Sequence, residues 1–235
     1  MYGWRVTPAL PRPVRRLINE LAIADRERRG SSFLDVRVWP DRISGFEDLV
    51  FLFSSTLLAH GIASLRLDEA AYLYTLVRET QPTTAVEVGR FRGGSTLLIA
   101  AALGNGTLHS YDLERRQGRS GADLDRQLTS ALERYDLVGR VRLHVADSRT
   151  AAAPAQVVDL VFIDGDHREQ AVRADYHHWA PLLRPGGHLL FHDAVDAPDL
   201  VPPFESGPAR VAAEVGEGFE RREAAGSLAH FVRRG

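Results

Sequence analysis

The chain contains no cysteine and no lysine among its 235 residues. Without thiols there can be no disulfide, no thiolate nucleophile and no cysteine-ligated zinc or iron–sulfur centre. Without lysine there can be no Schiff base and no lysine general base. All 29 basic side chains are arginines, whose guanidinium stays charged. The net charge of −2 and pI of about 6.5 give no reason to expect nucleic-acid binding. No apolar run is long enough to span a bilayer, and the start lacks a hydrophobic signal segment. A cytoplasmic protein with no membrane partner is the expectation. The run Leu49–Phe53 is apolar but short, and reads as core or subunit interface.

What is present is one substantial core, with 44% apolar residues. Residues 1–66 read as a helical cap or oligomerisation segment, with helices expected over Val14–Arg28 and Gly45–His60. This segment offers a route to a homo-oligomer. A third helix is expected over Leu67–Glu79, with Asp68 and Glu69 in its first turn, where negative charge is favourable. Residues 67–235 read as the main domain. From Thr83 the rhythm is αβ: strands near Ala85–Val88, Thr107–Asp112, Val141–Val145, Val157–Ile163 and His188–Phe191. Helices are expected over Ser95–Leu103, Leu124–Tyr135, His167–Leu183 and Pro208–Val215, with Glu114–Asp123 as a loop. A closing hairpin is expected from Phe219–Glu223 and Leu228–Arg233. Val157–Ile163 is almost continuously apolar, as a covered parallel strand should be. The pattern predicts an α/β fold: a doubly wound, Rossmann-like sheet with an N-terminal helical extension.

Three segments at strand ends carry the chemistry. The first, Val86–Ser95, runs from strand through a glycine turn to a helix. Its spacing is G-x-x-x-G-G over Gly89, Gly93 and Gly94, which is neither the dinucleotide G-x-G-x-x-G nor a P-loop. Glu87 precedes the turn, where a carboxylate can accept from a ligand ammonium or organise the turn. Ser95 can cap the helix or bond a ligand carboxylate. Asp112 ends the next strand, in position to accept ribose hydroxyls or to cap a local loop. Asp147 and Ser148 follow another strand, and either contact an adenine edge or cap a helix. The second segment ends in Asp164-Gly165-Asp166-His167 and the third in His192-Asp193. Asp164 and Asp193 are hard oxygen ligands suited to Mg²⁺. His167 is a candidate base at neutral pH, or a helix cap, with His192 the competing base or ligand.

The ordered set Glu87–Ser95, Asp112 and Ile163–His167 resembles class I S-adenosylmethionine-dependent methyltransferases. It is most similar to small-molecule O-methyltransferases of the catechol and caffeoyl-CoA type and to bacterial enzymes acting on natural products or their sugars. The resemblance covers roughly residues 67–233. It implies a seven-stranded methyltransferase sheet in the order 3-2-1-4-5-7-6 and S-adenosylmethionine as cofactor. It implies that Glu87, Gly89, Phe91, Gly93, Gly94 and Ser95 form the cofactor turn, with Asp112 at the ribose and Asp147 or Ser148 near the adenine. Asp164 then joins cofactor to chemistry. His167 falls near a catalytic lysine of the catechol-type enzymes. Asp164 and Asp193 match two metal-binding aspartates, but the usual Asp–Asn pair is Asp193–Ala194 here. Asp166 or His192 would have to complete the shell for Mg²⁺ or another divalent cation.

The function expected is methyl transfer to a hydroxyl of a small molecule, such as a natural product or its sugar, with or without a metal. Catalytic roles fall to His167, Asp164 and His192. Two alternatives stand beside it. One is an Fe(II)-dependent oxygenase, for which His167, His192 and Asp164 would have to form a two-histidine, one-carboxylate site. The other is a noncatalytic cofactor-binding or assembly protein.

Overall fold

A computed structural model describes residues 40–52, 63–116, 119–194 and 206–235. Its large sheet is formed by β1 (Thr84–Val88), β2 (Thr107–Asp112), β5 (Val141–Val145), β6 (Val158–Ile163), β7 (Leu183–Phe191), β8 (Phe219–Arg222) and β9 (Ala229–Arg233). The order is β5-β2-β1-β6-β7-β9-β8. Counted within this sheet alone, that is the expected 3-2-1-4-5-7-6. β5, β2, β1, β6 and β7 pair in parallel, while β9 runs antiparallel between β7 and β8.

The helices are α1 (Leu67–Thr80), α2 (Gly94–Ala102), α3 (Gly121–Arg134), α4 (Glu169–Trp179) and α5 (Gly207–Ala213). Strand alternation divides the core into two layers. Ala85, Leu160, Phe162 and Leu190 face α1, α2 and α3. Val86, Val88, Val161, Ile163, Leu189 and Phe191 face the layer holding Val172 and Trp179 of α4 and Val211 of α5. β1 and β6 are therefore buried along their whole length, which explains why apolar residues dominate both, with Thr84, Glu87 and Asp159 as their buried polar exceptions.

Three local expectations are corrected. The segment after β2 is not only loop, because Arg115–Arg116 (β3) and Arg119–Ser120 (β4) pair as a small hairpin. The helix after β6 stops at Trp179 and passes through a 3₁₀ turn, Ala180–Leu182, because Pro181 cannot extend an α-helical ladder. β7 then begins at Leu183 rather than His188. Its pairing with β6 steps from Val158↔Leu183 to Leu160↔His188, so Pro185-Gly186-Gly187 bulges out of the ladder. Of the helix expected over Gly45–His60, a 3₁₀ helix covers Phe46–Leu52, and the stretch beyond Leu52 lies outside the described residues. Leu49 and Leu52 are fully buried in the core. The helix expected over Val14–Arg28 also lies outside the described residues.

Candidate active site

The C-terminal ends of β5, β2, β1, β6 and β7 open onto one cavity of about 610 Å³. Its walls include Gly89, Phe91, Gly94, Ser95, Asp112, Asp147, Ser148, Asp164, Asp166, His167, His192 and Asp193. The parallel sheet thus collects residues from five strand ends, as crossovers in an open α/β sheet do. Of the residues singled out from sequence, only Glu87 and Gly93 do not line it.

Glu87 sits beneath the cavity, fully buried on β1. Its Oε2 accepts from Thr96 Oγ1 at 2.6 Å and Ser110 Oγ at 2.5 Å. Among the described residues its buried Oε1 has no hydrogen-bond partner. Burial pushes the carboxyl up from its usual range, against the lowering effect of the surrounding hydroxyls. Glu87 therefore organises the junction of β1, β2 and α2, and keeps one oxygen in reserve.

Gly89 is held at φ +84°, and a Cβ there would lie 2.3 Å from the carbonyl oxygen of Asp164. Its lack of a side chain lets the first loop pack against the Asp164–Gly165 turn. Gly93 is likewise pressed against Leu128 of α3. These glycines serve close approach of protein to protein, and Gly89 also lines the cavity.

Arg90, which the sequence reading passed over, fixes the same loop. Its side chain is fully buried, and it forms a two-point ion pair with Asp125 at 2.9 and 2.7 Å. It also donates to the carbonyls of Ser110 and His144. Asp112 completes the brace: its Oδ2 accepts from the backbone N–H groups of Arg90 and Phe91 at 2.9 and 2.8 Å. The carboxylate expected at the ribose therefore also holds the glycine turn.

At the other end of the cavity, β6 and β7 bring two aspartates and two histidines together. His192 is only 4% exposed, and both its ring nitrogens are committed. Nδ1 lies 2.9 Å from Asp164 Oδ1 and 3.3 Å from Asp193 Oδ2, while Nε2 lies 3.1 Å from Glu69 Oε2. Burial opposes charge on His192, but the three carboxylates outweigh it and raise its pKa. Burial likewise pushes Asp164 upward, and the two histidines more than reverse it, leaving its carboxyl below the usual range.

Glu69, from the first turn of α1, is the unforeseen member. Its carboxylate is almost completely buried. It accepts from Arg66 N at 2.8 Å and from Ser227 N and Oγ at 2.7 and 2.9 Å, besides facing His192. Gly226, at φ +61°, lets the hairpin turn fold onto it: a Cβ there would sit 2.4 Å from Glu69 Oε1. Burial raises the Glu69 pKa, but His192 and the donated N–H groups hold it well below the usual value. Nothing in α1 considered alone marks Glu69, because Asp68 and Glu69 look alike as first-turn acids.

His167 faces the same carboxylates from the wall. Its Nε2 is 3.5 Å from Asp193 Oδ2 and 4.0 Å from Asp164 Oδ1. Asp164 raises its pKa; burial opposes this and Asp193 adds to it. Asp164, His167 and Asp193 each offer a ligand atom within 4.8 Å of one another, so this trio meets the spacing of a cation site. The set expected from sequence is arranged differently. His192 turns both ring nitrogens to carboxylates, and the trio with cation-site spacing contains one histidine, His167. Asp166 is turned into an ion pair with Arg168. Asp147 is similarly tied to Arg149, and Ser148 Oγ donates to Asp175 Oδ1 at 2.6 Å.

Comparison with known proteins agrees with this geometry. A family model described as a methyltransferase domain matches residues 86–194. The mouse (Mus musculus) catechol O-methyltransferase domain-containing protein 1 is 28% identical over 130 residues, which are 55% of this chain and 48% of that protein. The chain spans less than half the length of the curated relatives it matches. Among solved structures, the O-methyltransferase TomG from Streptomyces achromogenes, in complex with SAM, superposes with a TM-score of 0.62 at 17% identity. The superposition covers 94% of this chain and 99% of that one. An O-methyltransferase from Bacillus cereus, in complex with SAH, gives 0.62 at 16% identity, over 94% and 100% of the two chains.

Proposed function

We propose that this chain, which carries a methyltransferase domain on the class I methyltransferase fold, transfers a methyl group from S-adenosylmethionine to a hydroxyl of a small molecule. The observation that carries the proposal is the single cavity that joins the glycine turn and Asp112 at one end to Asp164, His167 and Asp193 at the other. Glu87, beneath the turn, braces the loop that would face the cofactor's amino-acid end. When bound, S-adenosylmethionine supplies an electrophilic methyl group on a sulfonium. The protein then has to hold a nucleophilic oxygen in line and take its proton.

His167 Nε2 is the proton acceptor in this reading. It faces the cavity between Asp164 and Asp193, which stabilise the imidazolium that forms. Because the same carboxylates raise its pKa, the base form grows as pH rises above 6.5. The acceptor proposed is a natural product or its sugar. The similar enzyme TomG is described as involved in tomaymycin synthesis, which points the same way. The N-terminal segment, residues 1–66, is proposed as the oligomerisation surface. No helix among the described residues is long and apolar enough to cross a membrane.

A second reading has its own observation. Asp164, His167 and Asp193 would hold a divalent cation, whose chemistry would be to polarise the acceptor hydroxyl. A mixed oxygen and imidazole set suits manganese as well as magnesium. Calorimetry with S-adenosylhomocysteine, and labelled-methyl transfer to glycosylated natural products and catechols with and without EDTA, tests both readings. His167→Ala should retain cofactor affinity and lose roughly 10²–10⁴ in kcat. Absence of any cofactor binding would sink the proposal, and full activity in EDTA would sink the second reading.

A further inference from the structure

Asp175 is a buried acid that no role above uses. It lies on the buried stripe of α4 with Ala171, Val172 and Trp179, a spacing at which an apolar residue is expected. Only 2% of its surface is exposed, and that surface borders the cavity. One oxygen, Oδ1, accepts the Ser148 hydroxyl at 2.6 Å. Among the described residues Oδ2 has no hydrogen-bond partner, and no cationic side chain is bonded to the carboxylate. Burial pushes its pKa up to about 6, against the lowering effect of Ser148 and Arg149. An acceptor so desolvated is costly unless a donor meets it.

The position narrows the donor. Asp175 is bonded to Ser148, which follows β5 at the edge of the parallel strands opposite β7 and Asp193, and Ala146 and Ala171 line the same cavity. Asp147, the other acid at this end, is already satisfied by Arg149, which donates to it from its backbone N–H and its guanidinium. Small apolar walls and one desolvated acceptor suit a flat heteroaromatic ring with a neutral N–H donor. A ligand cation would sooner find the exposed rim, where Asp166 lies.

We propose that Asp175 reads the exocyclic amino group of the cofactor's adenine through Oδ2, while Oδ1 and Ser148 hold the carboxylate in place. This rests on the S-adenosylmethionine reading above. It makes Asp175 the specificity residue for the nucleobase, a task the sequence suggested for Asp147 or Ser148.

The experiment is calorimetric binding of S-adenosylhomocysteine and of its hypoxanthine counterpart, S-inosylhomocysteine, to the full chain. Hypoxanthine presents an oxygen acceptor where adenine presents the amine. Wild type should prefer the adenine ligand by at least about tenfold, because two acceptors would otherwise face each other. Asp175→Asn offers an N–H donor as well as an acceptor. It should narrow the preference to within about threefold, mostly by strengthening the hypoxanthine ligand. Equal weakening of both ligands by Asp175→Asn would leave Asp175 a brace for Ser148 and overturn the proposal. So would wild type that binds the two ligands alike, a result that stands even if the variant does not fold. Failure of wild type to bind either ligand would instead overturn the cofactor reading itself.

Discussion

Replacing Glu69 by Gln tests whether the buried Glu69–His192–Asp164 chain is an energetic unit. The substitution keeps shape but exchanges one acceptor oxygen for an NH₂ group. Glu69 faces four donors, from Arg66 N, Ser227 N, Ser227 Oγ and His192 Nε2, so the new amide must point at a donor. It also removes one of the carboxylates that balance the His192 imidazolium. Stripping one partner from a buried ion pair costs ~3–5 kcal/mol, and each hydrogen bond to a charged group contributes ~1.5–3 kcal/mol. Asp164 still faces His192 in the variant, so the low end applies, about 3 kcal/mol. For a chain of this length that is a fall in Tm of roughly 6–12 °C. The pH dependence has a definite sign. The Glu69 pKa is lowered on folding from 4.5. Its contribution is therefore complete above pH 4.5 and is lost as pH falls through the lower folded value, at up to ~1.4 kcal/mol per pH unit. Urea unfolding of wild type and Glu69→Gln should show a gap of about 3 kcal/mol at pH 7 that shrinks below pH 4.5. A gap under about 1 kcal/mol at pH 7, or one that stays constant down to pH 3, would refute the reasoning.

Two further substitutions probe the glycine turn. Arg90→Ala removes the two-point ion pair to Asp125 and frees two carbonyls, and should cost ~3–5 kcal/mol in urea unfolding; Arg90→Lys should not restore it, since an ammonium cannot make the two-point contact. A loss below about 1 kcal/mol would mean that Arg90 is not the brace described. Gly89→Ala forces a Cβ against the Asp164 carbonyl at a positive φ and should cost at least ~2 kcal/mol. It should also weaken S-adenosylhomocysteine binding, and unchanged affinity with unchanged Tm would contradict the packing role.

The sheet was legible because its strands are local. Val158–Ile163 is apolar but for Asp159, the glycine turn breaks β1 from α2, and the crossover rule does the rest. What stayed hidden depends on contacts far apart in sequence. Arg90 reads as a solvated arginine until Asp125 meets it 35 positions away. Glu69 and His192 are separated by 123 positions. Asp175 left a trace, because a carboxylate on the stripe with Val172 and Trp179 breaks the helical pattern, but a period alone does not say what lies opposite. The ends of α4 and β7 were misread because Pro185-Gly186-Gly187 looks like a helix stop, whereas Pro181 had already ended the helix and the later residues form a bulge.

The substitution at Ala194 follows from the same geometry. Ala194 is 6% exposed and packs in the core layer with Phe191 and Ala229. A polar amide there would need a partner to offset its burial. Asp193, two strand positions from Phe191, adopts φ +54°, a conformation aspartate tolerates better than most residues. That twist breaks the two-residue alternation of β7. His192 and Asp193, which an ideal strand would send to opposite faces, therefore both approach Asp164, His192 at 2.9 Å and Asp193 within 4.8 Å. His192 in turn needs a second acceptor for its Nε2, and Glu69 provides one from α1. Asp164 at the cavity and Glu69 on α1 are thus joined through a histidine whose charge its carboxylate neighbours favour.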